Sequence, residues 1–185
     1  SRTMLMSLQT GDWSDELLDL FDIPKTMLPT IKPSDGDFGV TKQGMFGKQI
    51  PVTAVLGDQQ AALYGQGCNR AGMAKSTYGT GCFALMNIGT KFRFSEHRLL
   101  TTIGYRVEGQ TTYAIEGAIF VAGAAIQWLR DGMKLFKNAA ETEGIATSVK
   151  NSGGVYFVPA FTGLGAPYWV PEARGMISGI TRGTT

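Results

Sequence analysis

One carboxylate and two amides, Asp58, Gln59 and Gln60, sit together inside AVLGDQQAALYGQG at 54–67. A short apolar run leads into Gly57, and a small apolar run follows Gln60. A carboxylate at such a seam between strand-like and helix-like sequence can accept backbone N–H groups and complement a helix dipole. It can equally face a ligand, because strand-to-helix seams are where α/β proteins place polar groups toward a cleft. A second candidate is STYGTG at 76–81, where Gly79 and Gly81 flank Thr80. In a hairpin turn, such glycines can aim successive backbone N–H groups and one hydroxyl at an anion. No lysine follows as in a Walker loop and the spacing is not GxGxxG, and a purely structural hairpin turn accounts for the glycines as well. The third candidate is Gly123 with Gln127 four residues on, which share a face if the segment is helical. Glycine inside a helix is less favourable than alanine by about 1 kcal/mol, so close approach of a neighbour is expected there, from tight packing or from a ligand. A phosphoryl acceptor hydroxyl needs a carboxylate within hydrogen-bond reach, and amides suit a polyol. Taken together the three stretches make a kinase-like set.

The elements that must position these residues follow from periodicity and punctuation. GDWSDELLDLFDIP at 11–24 predicts a short amphipathic helix, with Ser14 as N-cap, Leu17, Leu18 and Phe21 on the apolar face, and Pro24 as the stop. Residues 24–49 read as a connector with little regular structure. IPVTAVLG at 50–57 predicts a β-strand, and the helix after it ends at Gly65 or Gly67. Residues 72–90 read as strand, glycine turn, strand, and 99–117 as a hairpin turning at Glu108–Gln110. Residues 118–136 predict a helix whose apolar first half is buried. A weaker helix is expected at 141–151, a strand at 154–160, and a long Gly/Pro/aromatic loop at 161–175. Hairpins followed by a helix give an α/β class with a mixed sheet and covering helices.

Composition narrows the function. The 185 residues fit one domain, or one domain with a piece of another. Hydrophobic residues make up 43% and charged residues 17%, which supports a packed core rather than disorder. With net charge +2 and no basic run, a nucleic-acid-binding surface is not expected. Cys68 and Cys82 give no disulfide framework and make a reducing compartment the default. His97 is the single histidine, which excludes His-rich metal sites and most His-based triads, and no metal-ligating residues are assigned. The longest strongly apolar run, GAIFVAGAAI at 117–126, is half the roughly 20 residues of a membrane-spanning helix. The sequence opens on Ser1 and stops in GMISGITRGTT, which reads as a strand feeding a further element, so a piece of a larger protein is expected.

LGDQQAALYGQG, STYGTGCFALMNIGT, LLTTIGY, YAIEGAIFVAGAAIQWLRD and VPAFTGLGAPYWVPEARGMISGITRG closely resemble glycerol kinases of the FGGY carbohydrate kinase family. The opening SRTMLMSLQTGDWSDELLDLFDIPKTMLP is similar to the stretch that ends that family's N-terminal domain. TYGTGCF and FTGLGAPYW favour this resemblance over xylulose-, ribulose- or gluconate-type relatives. It implies an RNase H-like, actin/hexokinase-type fold in which two domains hold ATP and substrate between them. Residues 1–57 would be the end of the N-terminal domain and connector, and 58–185 the first part of a truncated C-terminal domain. The resemblance implies that Asp58 is the catalytic base toward a glycerol hydroxyl, that Gln59 contacts glycerol, and that Phe83 packs on its carbons. It assigns Gly79 and Thr80 to the nucleotide phosphates, and Gly123 and Gln127 to further ATP/ADP contacts.

ATP-dependent phosphorylation of glycerol to sn-glycerol 3-phosphate, with Mg²⁺ on the phosphates, is the implied activity of the full-length protein. A cytoplasmic homo-oligomer, dimer or tetramer, is implied with it, and the isolated stretch is expected to be inactive. Another FGGY polyol or sugar kinase, and a non-catalytic actin-fold nucleotide-binding protein, are the alternatives. Asp58 weighs against the second, since it retains the base. In TKQGMFGKQIP, Gln43 and Gln49 stand where some bacterial members carry a glycine and an arginine that bind fructose 1,6-bisphosphate. No histidine lies in this loop either, so neither that inhibition nor histidine phosphorylation is implied.

Overall fold

A computed structural model describes residues 3–184. The elements are α1 (Asp15–Leu20), a 3-10 turn (Lys25–Met27), α2 (Asp58–Gly65), β1 (Ala74–Tyr78), β2 (Cys82–Gly89), β3 (Leu100–Val107), β4 (Gln110–Ile119), α3 (Gly123–Asp131), α4 (Glu141–Thr147), β5 (Tyr156–Val158) and β6 (Met176–Ser178). Strands β1–β4 form one sheet in the order β1-β2-β4-β3, and β5 pairs with β6. The chain divides into two compact units. One comprises the residues up to Lys75 with Leu85–Glu96 and Leu100–Glu116; the other comprises Ser76–Ala84, His97–Leu99 and the residues from Gly117.

In the first unit, Ser14 caps α1 by accepting the Leu17 N–H at 3.4 Å, and Asp15 and Glu16 complement the dipole in the first turn. Leu18 carries the buried face. The expected helix and its Ser14 cap are in place, but the helix is only six residues long, and Phe21, expected on its apolar face, is the C-cap residue and is exposed. The connector is tied down through backbone polar groups. Ser34 N–H donates to the Arg106 carbonyl at 2.8 Å and its hydroxyl accepts from Arg106 N–H at 3.0 Å, while Asp35 accepts from Glu108 N–H at 2.7 Å. Helix α2 packs on β3. Leu63 is fully buried, and Tyr64 meets Tyr105 edge-on with ring centroids 5.1 Å apart. Just past α2, the Cys68 carbonyl accepts from buried Asn87 Nδ2 at 2.9 Å, and Asn87 also donates to Tyr105 Oη at 3.2 Å. That node satisfies polar groups which would be costly to bury alone. The β3–β4 hairpin is antiparallel, and it turns through Glu108 and Gly109, both at positive φ. This is the backbone that a two-residue hairpin turn demands.

The strand expected over 50–57 does not form. Only Pro51 pairs, in an isolated bridge to Val40. Thr41 N–H to the Ile50 carbonyl and Val52 N–H to the Gly39 carbonyl close that bridge, and beyond it the pairing stops, with Val55 N–H going to the Ser34 carbonyl instead.

In the second unit, α3 and the β5–β6 pair share an aromatic cluster. Trp128 stacks on Phe157 at 5.6 Å and meets Phe161 at 5.0 Å. Strands β5 and β6 pair antiparallel, with Phe157 opposite Ile177. The loop 161–175 is closed by a bridge between Leu164 and Val170 and by Trp169 Nε1 donating to the Arg98 carbonyl at 2.7 Å. At the end of α3, the hydrogen-bonded guanidinium of Arg130 holds the Asp131 carboxyl below its usual value.

The helix expected over 118–136 is shorter than its apolar run. Ala118 and Ile119 complete β4, and α3 begins only at Gly123. Along β4 the buried residues are Thr112, Ala114, Glu116 and Ala118, a period of two. An apolar run read by itself does not distinguish that pattern from a buried helix. No helix among the described residues is long and apolar enough to cross a membrane.

Candidate active site

The carboxylate of the first unit stands at the head of α2. The N-cap is Gly57, with extended backbone and no side-chain cap, so Asp58 is the first helical residue rather than the cap. Its Oδ1 accepts the Gln59 backbone N–H at 2.8 Å, and its Oδ2 accepts from Gln59 Nε2 at 3.2 Å. The other end of that amide, Oε1, accepts from Lys75 Nζ. Lys75 lies on β1 and is only 3% exposed, whereas Asp58 is exposed and Gln59 half-buried. Each carboxylate oxygen has two acceptor positions, so Asp58 retains acceptor capacity beyond these two bonds. Chemically this is an exposed, oriented carboxylate next to an oriented amide.

Lys75 did not emerge from sequence reasoning. In AKSTY the sequence signal is slight: strand alternation puts Lys75 and Thr77 on one side, and a lysine there reads as solvent-facing.

In the second unit the structure brings Gly79, Thr80 and Gly123 together. The hairpin turn between β1 and β2 lies against the start of α3. The Thr80 carbonyl accepts from Ala122 N–H at 2.8 Å and from Ala124 N–H at 3.2 Å, and the Gly79 carbonyl accepts from Gly123 N–H at 2.9 Å. These bonds occupy N–H groups that a helix start otherwise leaves unpaired, which is how α3 begins without a capping side chain. A Cβ on Gly123 would lie 2.5 Å from the Gly79 oxygen. Close approach is thus real, but it comes at the first residue of α3, not one turn inside as the longer helix implied. Thr80 is exposed at the tip of the turn, and Gln127 is exposed one helical turn beyond Gly123. Phe83 lies on β2, half-buried, three residues after Thr80. Among the described residues no group of three or more His, Cys, Asp or Glu is placed to hold a metal ion.

Residues 74–185 match the C-terminal domain of the FGGY family of carbohydrate kinases, and residues 1–65 match its N-terminal domain. The chain is 57% identical over 185 residues to glycerol kinase 2 of Thermotoga maritima, and 57% identical over the same length to the glycerol kinase of Nitrosomonas eutropha. All of this chain is covered in both comparisons, but it spans 37% of the length of each relative. Among solved structures, Plasmodium falciparum glycerol kinase with ADP matches at a TM-score of 0.87 and 40% identity, over 99% of this chain and 37% of that one. Xylulose kinase from Rhodospirillum rubrum matches at a TM-score of 0.77 and 22% identity, over 98% and 37%. The latter likeness is one of fold.

Proposed function

Because this chain belongs to the FGGY family of carbohydrate kinases, we propose that the protein containing it transfers the γ-phosphoryl group of ATP to glycerol, giving sn-glycerol 3-phosphate. The observation that carries the reading is the exposed carboxylate of Asp58, oriented by Gln59 at the head of α2. In this proposal Asp58 accepts the proton of the attacking glycerol hydroxyl, and Gln59 offers its amide to a second hydroxyl. The Phe83 ring covers the glycerol carbons. Gly79 and Thr80 present the turn between β1 and β2 to the nucleotide phosphates, with Gly123 and Gln127 as further ATP/ADP contacts. The tight seat of that turn on α3 supports the assignment, since a phosphate cradle works by rigid placement of its dipoles. Mg²⁺ would come with the nucleotide rather than on a protein carboxylate cluster, and would supply charge neutralisation at the phosphates. The same proposal takes 1–57 as the end of the N-terminal domain and connector and 58–185 as the first part of the C-terminal domain, in a cytoplasmic homo-oligomer.

Identity of 57% to two curated glycerol kinases supports glycerol over other acceptors. The full-length protein, assayed with MgATP against glycerol, xylulose, ribulose and gluconate, is expected to consume ATP with glycerol at the highest kcat/KM. A higher kcat/KM with any of the other three would overturn the reading.

A further inference from the structure

Gln59 has two nearly isosteric ends with opposite chemistry, an oxygen that accepts and an NH₂ that donates. Its neighbours decide which end faces which way. On one side is Asp58 Oδ2, an acceptor when ionised, and on the other is the buried Lys75 ammonium, which can only donate. With the amide as found, both contacts are complementary. Rotated by half a turn, the amide would set oxygen against carboxylate and NH₂ against ammonium, so both contacts would become repulsive.

We infer that Lys75 is a positioning residue for the phosphorylation site: it locks the Gln59 amide so that its NH₂ faces Asp58 and the acceptor hydroxyls. Asp58 alone supplies half of the discrimination, from an exposed side chain in contact with water. Lys75 supplies the other half from a buried position, where a charged hydrogen bond is stronger because the surroundings are less polar. The locked amide has a second N–H to donate to a polyol oxygen. It also fixes the carboxylate rotamer, so the proton acceptor is held before the hydroxyl arrives.

The inference rests on the kinase reading, and its test separates the two. In the full-length protein, Lys75→Met keeps much of the side chain and removes the donor. Hydrogen bonds to charged groups are worth enough that kcat/KM for glycerol should fall about 10- to 100-fold, with the KM for ATP changed less than about twofold. Combined with Gln59→Ala, Lys75→Met should cost little more than Gln59→Ala alone, because its effect passes through that amide. Fully additive losses, or equal damage to ATP and glycerol parameters, would overturn the inference. If Lys75→Met does not fold, Lys75→Arg keeps a donor in the same place and should retain most glycerol kcat/KM, whereas Lys75→Gln should not; equal activity of the two overturns it. The side-chain amide protons of Gln59, followed by NMR, give a readout independent of turnover. They should be slowly exchanging in the wild type and fast in the Lys75 variant, and unchanged exchange would count against the lock. A wild type that shows the slow amide but no glycerol-dependent ATP consumption would sink the kinase reading and leave the lock standing.

Discussion

At the scale of single residues, Asp58 is where a structural and a catalytic role can be separated. Its structural work is small: it takes one backbone N–H and one side-chain amide, and Gly57 is the cap. Asp58→Asn keeps an oxygen for the Gln59 N–H but turns an NH₂ toward Gln59 Nε2, which Lys75 does not allow to flip. One hydrogen bond is then lost, so the expected loss of stability is about 1 kcal/mol, read by thermal or denaturant unfolding. Asparagine cannot take the hydroxyl proton, so kcat in the full-length protein should fall by about 10²–10⁴. Glycerol KM should move much less, since the contacts proposed for Gln59 and Phe83 remain. A variant with more than a tenth of wild-type kcat would remove Asp58 from the base role. Asp58 and Gln59 stand out in the sequence as polar groups interrupting an apolar seam, although capping accounted for the carboxylate equally well until Gly57 proved to be the cap. Lys75 was not legible, because a lysine in a strand reads as solvent-facing until the fold shows it to be buried.

Among the elements, the junction between the 79–81 turn and α3 makes the sharpest demand on sequence. A β-carbon at 123 would fall 2.5 Å from a backbone oxygen, which cannot swing aside as a side chain would. Gly123→Ala is therefore expected to destabilise by about 1–3 kcal/mol, as overpacking does. It should also shift the Gly79–Thr80 turn, so the KM for ATP should rise more than the KM for glycerol. Steady-state kinetics with each substrate varied in turn checks this; an alanine variant with wild-type melting and wild-type ATP KM would mean the turn does not depend on that approach. The hairpins were legible because Gly79, Gly81 and Gly109 punctuate alternating strands. The start of α3 was not. Ala118 to Ala122 is apolar throughout, and an apolar stretch fits a buried strand end as well as a buried helix. The strand at 50–57 is missing for another reason: β-branched residues favour a strand only along the length of a partner, and here residues 38–41 run beside 50–52 alone, after which Val55 N–H goes to the Ser34 carbonyl.

For the molecule as a whole, the question is what 185 residues can do by themselves. The chain carries the proposed base and the proposed phosphate turn, yet it spans 37% of the length of the glycerol kinases it resembles. Phosphoryl transfer leaves little covalent chemistry to the protein, so the rate depends on holding nucleophile, base and γ-phosphate in line. Such positioning is worth effective concentrations of about 10⁵–10⁸ M, and it is lost when any participant is held on one side only. Large apolar side chains also stand open, with Tyr78 at 81%, Leu20 at 73% and Phe94 at 71% exposure. Single apolar side chains are common on protein surfaces, so positioning alone carries the expectation. The purified chain is therefore expected to release ADP from ATP no faster with glycerol than without it, while the full-length protein responds to glycerol under the same conditions. A coupled ADP-release assay on both proteins, with circular dichroism to establish that the short chain is folded, makes the comparison. Glycerol-dependent turnover by the folded short chain within about tenfold of the full-length rate would place the whole catalytic apparatus inside these residues. Positioning by the rest of the protein would then add little to the rate.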